Sequence, residues 1–329
     1  MPGLGFKSYI QLAPETTYGT AVAATSKLEL IEATISPVIG VILDPSLYNK
    51  QSRRALYLGG LLFKGTIKVR LNFEGMLELL RGVTGTYTFP TVGGETVIRD
   101  HTFKEGATLK TYTIELIEGD VATGKCQRLV GATLTDLQLA WTAGVGVDAM
   151  GVATFTVVAK DKVSGVTPTA ALNFPAIFPV LFHQAITTDD GITIDATNRL
   201  RSFEVMLSNP HDEARFYLGA VNIDQPVRND FIKPTMKFTQ EFQTAGQFDA
   251  ARAFTAVSPQ VVFQHPTTIG VASKREFEVR MNSAQVTSFS VPVTGYGVLI
   301  STCEIEGFQD PTDASAMVIR VRSGDAGLP

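Results

Sequence analysis

The sequence predicts a mainly β chain made of two tandem strand-and-helix units, and three observations carry that prediction. First, residues 63–72 alternate. Phe63, Ile67, Val69 and Leu71 fall on one side of an extended chain, and Lys64, Thr66, Lys68, Arg70 and Asn72 on the other, the period of a half-buried strand. Second, the pattern returns in phase: Lys233, Thr235 and Lys237 repeat Lys64, Thr66 and Lys68 at a distance of 169 residues, with Ile232, Met236, Phe238 and Phe242 on the apolar side. Third, each run leads into a short stretch of helical period. Met76, Leu77, Leu79 and Leu80 share a stripe, as do Phe248, Ala251 and Phe254, with Glu78 or Asp249 early and Arg81 or Arg252 late, as the helix dipole favours.

Further landmarks extend the repeat in the same order. Leu28 to Ser36 resembles Leu200 to Ser208, each is followed by a proline (Pro37, Pro210), and each long polar connection returns through Tyr57-Leu58-Gly59 or Tyr217-Leu218-Gly219. Thr111 to Glu115 holds the place that Arg275 to Val279 holds in the second copy. A chain of 329 residues has room for two cores without disulfides or metals, and the expected units are residues 1–165 and 166–329, with a linker in the small, turn-forming run Ser164 to Ala171.

From the amino end, Gly5 to Thr20 reads as a short turn-rich segment. Strands are predicted at Lys27 to Ser36, Gly65 to Asn72, Lys110 to Glu118, Gly131 to Thr142 and Gly151 to Lys160. A hairpin turn is predicted between Ile117 and Arg128. In the second unit strands are predicted at Leu200 to Ser208, Pro234 to Phe242, Arg275 to Met281, Gln285 to Pro292 and Gly297 to Glu306. Ala316 to Val321 is either a last strand or an arm reaching a neighbour. Turn formers are plentiful enough for this plan, with 29 glycines and 16 prolines.

Composition narrows the function. Hydrophobic residues at 44% and charged residues at 18% exclude general disorder and leave much uncharged surface for contacts with other chains. A net charge of −4 gives no basic field of the kind a nucleic-acid binder carries. No apolar run is long enough to span a bilayer, and the start lacks the regions of a secretory signal, so the chain is expected in the cytoplasm when made, with Cys126 and Cys303 reduced. Enzymatic readings are thin. His101, His183, His211 and His265 have no partner at zinc-ligand spacing and read as polar loop residues. Asp189-Asp190 before Gly191 is a turn rather than a calcium loop, Gly144, Gly146 and Gly151 miss the dinucleotide spacing, and no serine sits in a nucleophile elbow. The expectation is no enzyme, no cofactor and no metal.

The order of elements resembles the major tail tube proteins of long-tailed bacteriophages. The resemblance rests on Glu15-Thr16-Thr17-Tyr18-Gly19-Thr20, the long connection from Pro37 to Gly60, the strand and short helix from Thr66 to Gly82, and Arg128 to Leu134 before Leu137-Gln138-Leu139. It implies that each unit is a tail-tube-like antiparallel β-sandwich or partial barrel with one flanking α-helix. It also implies that such units associate into rings, and rings into a hollow virion tube through which DNA passes without specific binding. Expected partners are other copies of the chain and the tape measure, tail terminator and tail tip proteins, with no membrane. Tubes of this family are typically six-fold, so a chain with two units predicts a ring of three chains with pseudo-six-fold symmetry.

On this reading the connection from Ile39 to Leu58, with Asp44, Tyr48, Lys50, Arg53 and Arg54, is a candidate inter-ring contact. Its counterpart from Asn209 to Asp230 holds Asp212, Glu213, Arg215, Arg228 and Asp230. Lys64, Lys68, Lys233 and Lys237 are expected to face outward or an interface, because lysines lining a DNA channel bind phosphate. The rivals are a carbohydrate-binding or adhesin-like β-sandwich, disfavoured because Trp141 sits in an apolar strand pattern, and another virion part such as a tail terminator, baseplate or capsid decoration protein.

Overall fold

A computed structural model describes residues 7–44, 55–119, 126–144, 149–169, 171–185, 200–242, 246–293 and 297–328. The first half of the chain runs β1 (Tyr9–Pro14), β2 (Ser26–Leu43), β3 (Leu56–Arg70), α1 (Leu77–Thr84), β4 (Gly85–Thr88), β5 (Arg99–Glu105), β6 (Tyr112–Ile117), β7 (Cys126–Thr142), β8 (Val152–Ala159) and β9 (Asp161–Val166). The second half runs β10 (Leu200–Ser208), β11 (His211–Asp212), β12 (Val227–Arg228), β13 (Lys233–Glu241), α2 (Gly246–Ala253), β14 (Ala256–Val257), β15 (Gln260–Ile269), β16 (Ser273–Arg280), β17 (Ala284–Ser290), β18 (Ile300–Gly307) and β19 (Val318–Ser323). The chain is mainly β, as the alternation predicts.

Strands β7, β6, β1, β2, β3 and β8 pair in that order, and β8 pairs back onto β7, closing a six-stranded barrel. The second half continues the same sheet. β10 adds to the C-terminal part of β7 in a seven-residue antiparallel ladder from Ser202↔Thr142 to Ser208↔Asp136, and β13, β18 and β17 follow outward. The run β17-β18-β13-β10-β7-β8-β3-β2 is thus antiparallel at every step. The connectivity of β2, β3, β8 and β7 is that of β10, β13, β18 and β17. A second sheet, in the order β15-β16-β19-β5-β4, also takes strands from both halves, joined where Ile319 faces Phe103 and Val321 faces His101.

One apolar cluster draws on both halves, including Leu79, Leu80, Phe155, Phe203, Phe238, Phe277 and Ile319. α1 lies on it with Leu77, Leu79, Leu80 and Val83 buried. The outer face of the five-stranded sheet is ionic instead. Arg322 Nε donates to Asp100 at 2.7 Å, and Arg322 Nη1 lies 3.0 Å from Glu276. Arg320 bonds Glu278, while Ile319 and Val321, which alternate with the arginines, are buried in the core. Alternation of this kind separates a dry face from a salt-bridged one on the same strand.

The early Glu15-to-Thr20 segment is a fastening. Glu15 accepts hydrogen bonds from Gly19 N at 2.8 Å, Gly131 N at 2.8 Å, Thr113 Oγ1 at 3.0 Å and Thr111 Oγ1 at 3.1 Å. One carboxylate therefore ties the turn to β6 and β7. Gly131 has φ +62°, and a Cβ there would stand 2.7 Å from the Tyr18 ring, so the position needs glycine on both counts. Tyr18 OH in turn donates to Ile223 O at 3.2 Å, in the second half.

Several elements differ from the sequence expectations. β1 occupies part of the segment read as turns, β9 takes up Ser164 to Val166 of the stretch read as a linker, and β4, β5, β9, β11, β12, β14 and β15 were not predicted. The stretch after Ser36 is no polar connection as far as it is described: β2 continues through Pro37 to Leu43 and pairs with β3 from Leu56, with Pro37 opposite Phe63. Ala316 to Val321 contributes the last strand, β19, rather than an arm. Cys126 and Cys303 are free and buried.

His101 is a core residue of β5, not a loop residue. It is fully buried, and its Nδ1 lies 2.8 Å from Tyr87 OH. Burial, with Arg99 nearby, lowers its pKa to about 4, below the value near 6.5 of an unfolded chain. The unfolded state therefore binds the extra proton between those values, and stability falls as pH drops from about 6.5 towards 4. Urea unfolding at pH 7 and pH 5 is expected to show wild type losing on the order of 1 kcal/mol more than His101→Phe. Equal losses would refute this role.

Candidate functional site

A contiguous exposed apolar surface among the described residues is the arm formed by the ends of β2 and β3. Val38, Ile39, Val41, Ile42 and Leu43 on one strand and Leu56, Tyr57 and Leu58 on the other are all exposed, from 43% at Leu43 to 65% at Leu56. Val41 faces Leu58, Ile42 faces Tyr57 and Leu43 faces Leu56. Contiguous exposure on this scale marks a contact surface in a folded protein. Asp44 closes the described part of the hairpin, its N–H donating to Ala55 O at 3.3 Å. Tyr48, Lys50, Arg53 and Arg54 lie outside the described residues, as do Asp189 and Asp190.

The connection from Asn209 to Ile232 packs on the base of this arm, so the structure brings the two predicted contact segments together. Leu61 N donates to Val221 O at 2.9 Å, and Ile223 N to Leu61 O at 3.2 Å. The Phe216 ring fills the space beside Gly60, where a Cβ would stand 2.7 Å from it. Lys64 Nζ reaches Glu213 at 2.7 Å.

The charged residues expected to make contacts here mostly hold the connection in shape. Asp212 accepts from Ala214 N at 2.9 Å. Arg215 donates to Gln225 O at 2.7 Å and Tyr217 OH at 2.8 Å. Arg228 Nε donates to Asn209 Oδ1 at 2.8 Å, and burial lowers the pKa of its guanidinium. Asp230 accepts from Phe231 N at 2.8 Å and lies 3.8 Å from Lys233. What the connection presents outward is apolar: Tyr217, Leu218, Val221 and Phe231, with Leu218 wholly exposed and Phe231 85% exposed. The sequence held a signal for this in its repeated Tyr-Leu-Gly, whose tyrosine and leucine are exposed in both halves (Tyr57, Leu58, Tyr217, Leu218).

A third surface is the polar face of the eight-stranded run. Its other face is the core, under α1 and the second sheet. On the polar face lysines stand beside glutamates. Lys68 is opposite Glu32 in β2, and Lys237 lies between Glu204 of β10 and Glu304 of β18. Threonine and serine fill much of the rest, with Ser202 Oγ 2.5 Å from Thr239 Oγ1. Opposite charges across strands compensate one another, so the lysines give this face no excess of positive charge. Trp141, the single tryptophan, is 2% exposed and offers no ring to a sugar.

Among the described residues no group of histidine, cysteine and acidic side chains is placed to hold a metal ion, and no helix is long and apolar enough to cross a membrane. The geometry is that of surfaces for association. In comparison with known proteins, the model of a family described as phage tail tube protein matches residues 5–300. No curated protein matches the chain.

Proposed function

The chain belongs to the phage tail tube protein family, matched over nearly its whole length, and from that premise of a structural, self-assembling tail component we propose a ring of three chains. Each chain contributes two tube units, residues 1–165 and 166–329, related by an internal duplication. The observation that carries this is the eight-stranded antiparallel run, in which one four-strand connectivity occurs twice side by side. Two like units fused in one chain turn a six-fold arrangement into a three-fold one, and a heterologous contact closes the ring.

The polar face lines the lumen in this proposal, because the opposite face is already buried. That revises the outward placing of Lys64, Lys68, Lys233 and Lys237. A lysine flanked by glutamates or paired to Glu213 is a poor phosphate ligand, so DNA passes without being held. The apolar arm and the exposed residues of the 209–232 connection make the contacts between stacked rings. The tape measure, tail terminator and tail tip proteins are the further partners in this proposal.

Cryo-electron microscopy of the purified, assembled protein tests the proposal. Three chains per ring, with Glu204 and Glu304 on the inner wall, are expected. Six chains per ring, or an inner wall built from another face, would sink it.

A further inference from the structure

The chain contains a junction between its own two halves, and it leaves the two surfaces that would form a second such junction without strand partners. At the internal junction β7 pairs with β10, placing Gln138 opposite Met206, Leu139 opposite Val205 and Ala140 opposite Glu204. Leu139 and Val205 are fully buried there.

Strand β2 holds the place of β10. Glu32 faces Lys68 and Ala33 faces Ile67 on β3, as Glu204 faces Lys237 and Val205 faces Met236 on β13. Residues 32–36 therefore correspond to residues 204–208. Strand β17 holds the place of β7. Gln138 and Leu139 face Thr154 and Ala153 of β8, as Ser288 and Phe289 face Glu304 and Cys303 of β18. The inner strands agree, since Lys68 and Val69 face Thr154 and Ala153 just as Lys237 and Phe238 face Glu304 and Cys303. Residues 138–140 thus correspond to residues 288–290.

Among the described residues neither edge is taken. On its outer side β2 is covered by β1 only over Ser26 to Glu29. β17 is covered by β14 only at Ala284 and Gln285. Among the described residues, Lys162 Nζ donates to Ile35 O of the β2 stretch at 3.1 Å. Ala33 and Phe289, the counterparts of the fully buried Val205 and Leu139, are only partly buried. An edge strand left open in this way is a template for pairing.

We propose that the β17 edge pairs with the β2 edge of a second copy of this chain, in the register of the internal junction. Ser288 then lies opposite Thr34, Phe289 opposite Ala33 and Ser290 opposite Glu32 of the next copy. The strand directions agree: eight antiparallel strands per chain bring β17 to the boundary running opposite to β2, as β7 runs opposite to β10. No like charges meet, because Glu32 faces a serine. The pairing is heterologous, so it closes or propagates according to the rotation it imposes. It rests on the ring reading above and names the surface that closes the ring.

Thr34 and Ser288 are both exposed, which allows a cysteine pair to be introduced without touching the core. The Thr34→Cys/Ser288→Cys variant, assembled and oxidised, is expected to give covalently closed trimers on non-reducing gels, whereas either single variant gives none. The Ser36→Cys/Ser288→Cys pair is two residues out of register, at the ~7–8 Å of a diagonal neighbour, beyond disulfide reach, and is expected to cross-link at least about tenfold less. Rings visible by microscopy without cross-linking of the first pair would overturn the pairing and leave the ring reading standing. Equal cross-linking of both pairs would overturn the register. A wild-type protein that forms no ring under any assembly condition overturns the inference together with the reading beneath it.

Discussion

Replacing Trp141 with alanine is expected to cost about 3–5 kcal/mol of unfolding free energy, the range for a large aromatic removed from a packed core. The indole stacks on Phe263 with centroids 4.5 Å apart and touches Phe203 at 5.6 Å and Phe277 at 6.2 Å. It stands on β7 directly opposite Phe203 of β10, so the cavity opens where the two halves share their sheet. Gly151 admits the ring: a Cβ there would be 2.3 Å from the indole nitrogen. That nitrogen has no hydrogen-bond partner among the described residues, so the loss is one of packing, and Trp141→Phe is expected to recover most of it. Urea unfolding of the two variants beside wild type gives the numbers. A Trp141→Ala loss below about 1.5 kcal/mol would show that the site collapses around the missing ring.

The second large effect is on stacking. Ile42→Glu combined with Leu58→Glu places two charges on the arm at positions 57% and 56% exposed, where substitution changes folding stability by no more than about 0.5 kcal/mol each. If each arm of a three-chain ring lost about 2 kcal/mol of contact energy, as for a central interface residue, a ring-to-ring junction would lose about 6 kcal/mol. That is roughly four orders of magnitude in association. The expected product is single rings in place of tubes, seen by negative-stain microscopy and sedimentation, with an unchanged thermal midpoint. Tubes of wild-type length would remove the arm from the inter-ring contact.

Legibility in the sequence followed burial. β3, β10 and β13 have one dry and one wet face, so their side chains alternate and the period of two was visible. β1 is covered on both faces, with Ile10, Gln11, Leu12 and Ala13 all buried, and a four-residue run with a buried glutamine carries no alternation to read. β5 alternates, but its inward residues are His101 and Phe103 and its outward ones Asp100, Thr102 and Lys104, a pattern that makes sense only once Arg320 and Arg322 stand beside it. β15 contains Pro266, which reads as a break; a register shift between Gln264 and Thr268 accommodates it. The arm was masked by Pro37, Gly40, Gly59 and Gly60, which read as turn formers; here Gly40, Gly59 and Gly60 let the two backbones run close together.

In the two segments that the sequence reading singled out, the side chains the structure leaves exposed are mostly not the charged ones that reading named. Charge was taken as the mark of a contact, whereas Glu213, Arg215 and Arg228 are used up in folding their own connection or bracing its neighbour. The exposed residues are leucine, tyrosine, valine and phenylalanine, and exposure of an apolar residue is a property of the fold that a one-dimensional pattern does not carry.

The ladder between β7 and β10 bears on how fast a ring would assemble. Half of the lateral seams in a three-chain ring are made inside single chains, during folding, at an effective concentration fixed by the connecting chain and independent of how much protein is present. Two encounters in solution and one closure would then complete what six separate units would need five encounters and one closure to complete. On the three-chain proposal the concentration dependence of nucleation would be correspondingly shallower, and a first closed ring would form at a lower protein concentration.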